Sequence, residues 1–146
     1  MTAPLLVFGW GNPSRGDDAL GPLFVERIEA LNLPGVECLT DFQLQVEHAL
    51  DLEGRQRILF VDASVEATAP FAVKLLAPER DASFSTHAIT PESVMQVYVD
   101  LHDEPPAPCH LLAIHGMRFE LGEPLADTSA ENLAAALAWA RRWLAD

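Results

Sequence analysis

Two short stretches, LLVFG (Leu5–Gly9) and the ILFV of RILFVDAS (Arg57–Ser64), are apolar at every position rather than at every second one. A strand with one wet face alternates, so runs like these belong to a sheet covered on both sides, and such sheets are mostly parallel. What lies between and after them agrees. From Asp17 onward, Leu20, Leu23, Phe24, Ile28 and Leu31 recur at helical spacing, with Glu26, Arg27 and Glu29 falling mostly on the other face, until Pro34 and Gly35 break the pattern. Val36–Leu39 reads as a second strand and Gln43–Leu52 as a second helix. Phe71–Leu76 makes a further strand, Pro91–Leu101 a third helix and HLLAIHG (His110–Gly116) a fifth strand. A terminal helix carries Leu133, Leu137, Ala140 and Leu144, with Asp127, Thr128 and Ser129 as capping candidates.

Strands alternating with helices predict an α/β fold with a largely parallel sheet covered on both faces. The 146 residues and 49% hydrophobic content suit one domain spanning 1–146. Met1–Pro4 leads straight into the first strand, so no secretory leader is expected, and no apolar run approaches the roughly 20 residues that cross a bilayer. A soluble, cytoplasmic protein with no membrane insertion is expected. Acidic residues outnumber basic ones 22 to 9, for a net charge of -13 and no basic stripe, which argues against nucleic acid as a partner. Cys38 and Cys109 form no CxxC pair and sit in apolar contexts that suit buried, reduced thiols.

In a sheet of this kind ligands bind beyond the carboxyl ends of the strands, which directs attention to Asp17, Asp18 and Asp62. GWGNPSRGDD lacks the third glycine of a dinucleotide loop at its required spacing, and two carboxylates at a helix start oppose an anion, so a nucleotide site is disfavoured. Capping explains one aspartate of the pair; two adjacent like charges equally suit a cation. Asp62 ends a buried strand, where it can cap the next turn or offer oxygen to a metal. His87, in the Ser/Thr-rich loop SFSTHAITPES, can complete a two-carboxylate, one-histidine set, although a loop histidine is ordinarily just solvated. His115 suits backbone hydrogen bonding, Glu92 a favourable place at a helix start, and His48, His102 and His110 have no evident partners. No Gly-x-Ser-x-Gly elbow appears, and neither cysteine has a base at hand, so a covalent nucleophile is unsupported.

Taken together, GWGNPSRGDDALGP, LFVDAS and STHAITP resemble the maturation endopeptidases of [NiFe] hydrogenases, over nearly the whole chain. Gly9, Gly11, Asn12, Asp17, Asp18 and Gly21 match that family's opening pattern in order, and Asp62-Ala63 its strand-end Asp-Ala. The resemblance implies a three-layer α/β/α sandwich of about five strands. It also implies removal of a C-terminal extension from a hydrogenase large-subunit precursor once nickel is inserted. The metal-binding and catalytic positions carry over to Asp18, Asp62 and His87, with Glu92 as the alternative to the histidine and Asp17 left as helix cap or orienting group. Nickel is then supplied by the substrate, or another divalent metal stands in its place. The Thr86-His87 arrangement and DFQLQVEHALDL resemble the branch serving NAD-reducing or bidirectional hydrogenases. Two other readings remain open: a self-sufficient zinc hydrolase on the same residues, and a non-catalytic chaperone that binds metal or precursor.

Overall fold

In a computed structural model, which describes residues 2–80 and 89–146, five strands form one sheet: β1 (Leu5–Trp10), β2 (Val36–Asp41), β3 (Arg57–Ser64), β4 (Phe71–Leu75) and β5 (Cys109–His115). The strand order is β2-β1-β3-β5-β4. All neighbours run parallel except β4, which pairs antiparallel with β5 at one edge. Three α-helices, α1 (Leu20–Glu29), α2 (Pro91–His102) and α3 (Asp127–Ala145), complete an α/β sandwich.

Each apolar strand feeds both layers. Val7, Leu59, Val61, Leu112 and Ile114 meet Phe24, Ile28, Leu133 and Ala140 of α1 and α3 on one face. Leu6, Phe8, Ile58 and Phe60 meet Leu52, Val94, Met95 and Tyr98 on the other. Burial on both sides is why LLVFG and ILFV show no alternation. α2 begins where the sequence requires, with Pro91 at its first position and the Thr90 hydroxyl accepting from the Ser93 amide at 3.1 Å.

Three elements differ from expectation. The chain after β1 enters a 3₁₀ turn, Gly16–Ala19, before α1 begins at Leu20, and α1 ends at Glu29, leaving Leu31 partly exposed. The predicted helix over Gln43–Leu52 is a 3₁₀ segment, Val46–Leu52, whose start is fixed by reciprocal bonds between Gln45 and His48; so short a segment gains little from an α geometry. α3 has Ala126 at its N-cap with no side-chain cap, because the Ser129 hydroxyl is engaged elsewhere. Among the described residues no helix is long and apolar enough to cross a membrane.

Candidate active site

β1 lies between β2 and β3, so the strand order reverses there and a crevice opens beyond the carboxyl ends of β1 and β3. Gly9 of β1 stands opposite Val61 of β3, which places Asp62 one residue past that pair, beside the chain leaving β1. Two close approaches set the geometry. At Gly21 a Cβ would collide with the Trp10 carbonyl oxygen and crowd that of Val61 at 3.1 Å, so a glycine is needed for the helix start to sit directly on both strands. At Gly11, with φ +148°, a Cβ would run into the Asp18 carbonyl.

Around Gly11 the chain folds back on Asp18. The Asn12 amide donates to Asp18 Oδ2 at 2.7 Å, and the Asn12 side chain accepts from the Ser14 amide at 2.9 Å. Asp18 is thereby held at the crevice, half-buried. Asp62 is also half-buried, and among the described residues its Oδ1 accepts from the Ala63 amide alone, at 2.8 Å. Burial pushes the Asp62 carboxyl up to about 7; that one hydrogen bond opposes the rise, and the Asp18 charge adds to it. Two acids therefore converge at the switch point, one of them changing charge near neutrality. Such a pair can hold a cation, whose charge relieves the repulsion, or can exchange a proton with a bound substrate.

Asp17 has another task. It is fully buried. Its Oδ2 accepts from the amides of Met117 (2.8 Å) and Arg118 (3.0 Å) and from the Ser129 hydroxyl (2.6 Å), and its Oδ1 from the Ala126 amide (2.9 Å). Burial alone would raise this carboxyl; the four donors outweigh it and hold the group below the ordinary 3.8. Asp17 lies in the first turn, where its charge suits the helix dipole, but it makes no cap there. It ties the turn that carries Asp18 to the β5–α3 connection, and the sequence signals for that lie about 100 residues away.

His87 lies outside the described residues. Among the described residues no three His, Cys, Asp or Glu side chains converge as a metal set. Glu92 occupies the first turn of α2, where the dipole favours it. His115 Nδ1 contacts the Ala67 carbonyl oxygen at 2.9 Å, the backbone engagement expected of it. Two histidines without evident sequence partners have them: His48 Nδ1 accepts from the Gln45 amide while Nε2 meets Asp41 Oδ2 at 3.2 Å, and His102 Nε2 lies 3.2 Å from Glu53 Oε1. His110 packs edge-on against Trp143 with Nδ1 buried and unbonded among the described residues. Cys38 and Cys109 are free thiols pushed by burial up to about 11 and about 12, which makes both poor nucleophiles.

No protein-family model and no curated protein matches the chain. Solved structures do. The [NiFe] hydrogenase maturation protease HycI from Thermococcus kodakarensis superposes with a TM-score of 0.77 at 20% identity, covering 99% of this chain and 94% of that one. The hydrogenase maturating endopeptidase HybD from E. coli gives 0.69 at 23% identity, covering 93% and 88%. A hydrogenase 2 maturation peptidase from a Thaumarchaeota archaeon gives 0.69 at 20% identity, covering 97% of each chain. The chain therefore has the fold of the hydrogenase maturation proteases along almost its full length.

Proposed function

We propose that this chain is an endopeptidase that removes the C-terminal extension of a [NiFe] hydrogenase large-subunit precursor after nickel insertion. The observation that carries the proposal is the pairing of Asp18 and Asp62 at the strand-order reversal, on a fold shared with proteins named as hydrogenase maturation proteases and endopeptidases. The donor set suits a divalent cation. Two half-buried carboxylates, with one pushed up to about 7 by burial and in smaller part by the charge of the other, leave a repulsion that positive charge relieves.

In this reading Asp18, Asp62 and His87 engage nickel that arrives in the precursor. Nickel so held supplies a Lewis acid beside the scissile carbonyl. The chain's own residues do the positioning. The Asn12 amide fixes one oxygen of Asp18, and among the described residues no donor takes the other. Asp62, with a single amide donor among the described residues, can take up or give a proton near neutral pH. Asp17 holds the turn beneath them rigid, so that reach and angle are set before the precursor arrives.

The test is to incubate the chain with nickel-loaded and nickel-free precursor and weigh the products by mass spectrometry. Loss of the C-terminal extension from the nickel-loaded form alone is expected. Conversion of Asp18, Asp62 or His87 to alanine should slow trimming by roughly 10²–10⁴-fold, the usual cost of removing a catalytic group, while leaving the fold intact. Cleavage of neither precursor, or unchanged trimming by the Asp62→Ala variant, overturns the proposal.

A further inference from the structure

β2 is an edge strand, with β1 on one side and, among the described residues, no strand on the other. The Gly35 and Asp41 carbonyls accept from the Leu5 and Gly11 amides, both at 3.1 Å. With the two-residue period of a strand, the odd-numbered residues of β2 turn their backbone groups toward β1, and Val36, Cys38 and Thr40 turn theirs outward. The opposite edge of the sheet, β4, carries an exposed lysine, Lys74, a residue that commonly discourages strand addition. β2 carries none.

Beside that outward edge lies a groove between β2 and α1. Three cavities of about 260, 330 and 250 Å³ follow one another along it; the first two share Glu29 and Cys38, and the last two share Pro13, Pro22 and Thr40. The groove ends at Gly11, against Asp18. Its charged walls are acidic throughout: Glu29, then Glu26, then Asp41, with no basic side chain among the described residues that line it. At roughly 3.3 Å per residue the six residues of β2 span about 20 Å, enough for an extended segment of similar length.

We infer that the outer edge of β2 receives an extended, basic segment of the precursor as a sixth strand, laid along the groove so that it leads to Asp18 and Asp62. This rests on the endopeptidase reading for the identity of the occupant. The main-chain groups of Val36, Cys38 and Thr40 supply affinity irrespective of sequence, and Glu26 and Glu29 select positive side chains, the usual division of labour when a peptide adds to a sheet. Phe42, exposed at the groove's end, offers an apolar contact close to the crevice.

The experiment follows amide hydrogen exchange in the full chain with and without nickel-loaded precursor, together with processing kinetics of a Glu26→Lys/Glu29→Lys double variant. Expected are about tenfold slower exchange at Cys38 and Thr40 on binding and a KM raised about tenfold in the double variant, with kcat nearly unchanged and a Glu26→Asp/Glu29→Asp variant close to wild type. Unprotected β2 amides, or an unchanged KM in the lysine variant, overturn the inference. Trimming without β2 protection removes this inference and spares the endopeptidase reading; β2 protection without trimming does the reverse.

Discussion

The turn Gly16–Ala19 and the end of β3 each bury an aspartate, and the two are treated in opposite ways. Among the described residues Asp17 receives four hydrogen bonds and is held below 3.8, whereas Asp62 receives one and is pushed up to about 7. Burial raises both, and Asp17 is the more buried, so desolvation does not explain why Asp62 is the one pushed up. The count of donors does. A carboxylate saturated by protein donors has nothing left to offer a ligand and serves as a tie, whereas one left short of donors is costly to ionise and free to bind something else.

The sharpest way to break this comparison is to remove each carboxylate. Asp17→Ala strands three backbone amides and a hydroxyl and should cost roughly 3–5 kcal/mol in urea unfolding. If it costs less than about 1 kcal/mol, the tie is not structural. Asp62→Asn should act in the other direction, raising stability above pH 7 by about 1–3 kcal/mol while trimming is lost. The pH dependence separates the two further. Asp62 has a raised folded value, so between pH 3.8 and about 7 the folded state keeps a proton that the unfolded chain has released. Its contribution therefore falls as pH rises through that window, and the Asn variant should lose that slope. Asp17 has a lowered value, so its contribution is present above 3.8 and disappears as pH falls through the folded value. Thermal unfolding at several pH values reads both slopes, and a matching sign for the two residues contradicts the comparison. The smallest effect is expected of Ser129→Ala, about 1 kcal/mol, because three amide donors to Asp17 remain.

Much of the architecture was legible because burial on both faces leaves a direct mark: LLVFG and RILFVDAS are strands where expected, and Pro91 opens a helix. The place of Asp62 at the carboxyl end of an apolar strand was legible as well. The helix expected over Gln43–Leu52 was not a helix. Of the apolar positions that suggested it, Leu44 and Ala49 are buried but Val46 and Leu50 are exposed, because a 3₁₀ segment turns its side chains at a different spacing from an α-helix. The partners of His48 and His102 were hidden for a different reason: Asp41 and Glu53 are brought to them by the fold, with no motif linking the pairs.

By itself the sequence determined which segments are buried on both sides, hence an α/β sandwich, and which acids stand at strand ends and helix starts. Periodicity and punctuation are local, and local physics suffices for them. Only the tertiary structure showed how differently Asp17 and Asp18 are held. They are chemically identical neighbours, and what separates them is the set of donors that arrives from Met117, Arg118, Ala126 and Ser129. Those donors lie about 100 residues along the chain. A carboxylate's role is fixed by what satisfies it, and here that depends on a contact no local pattern records.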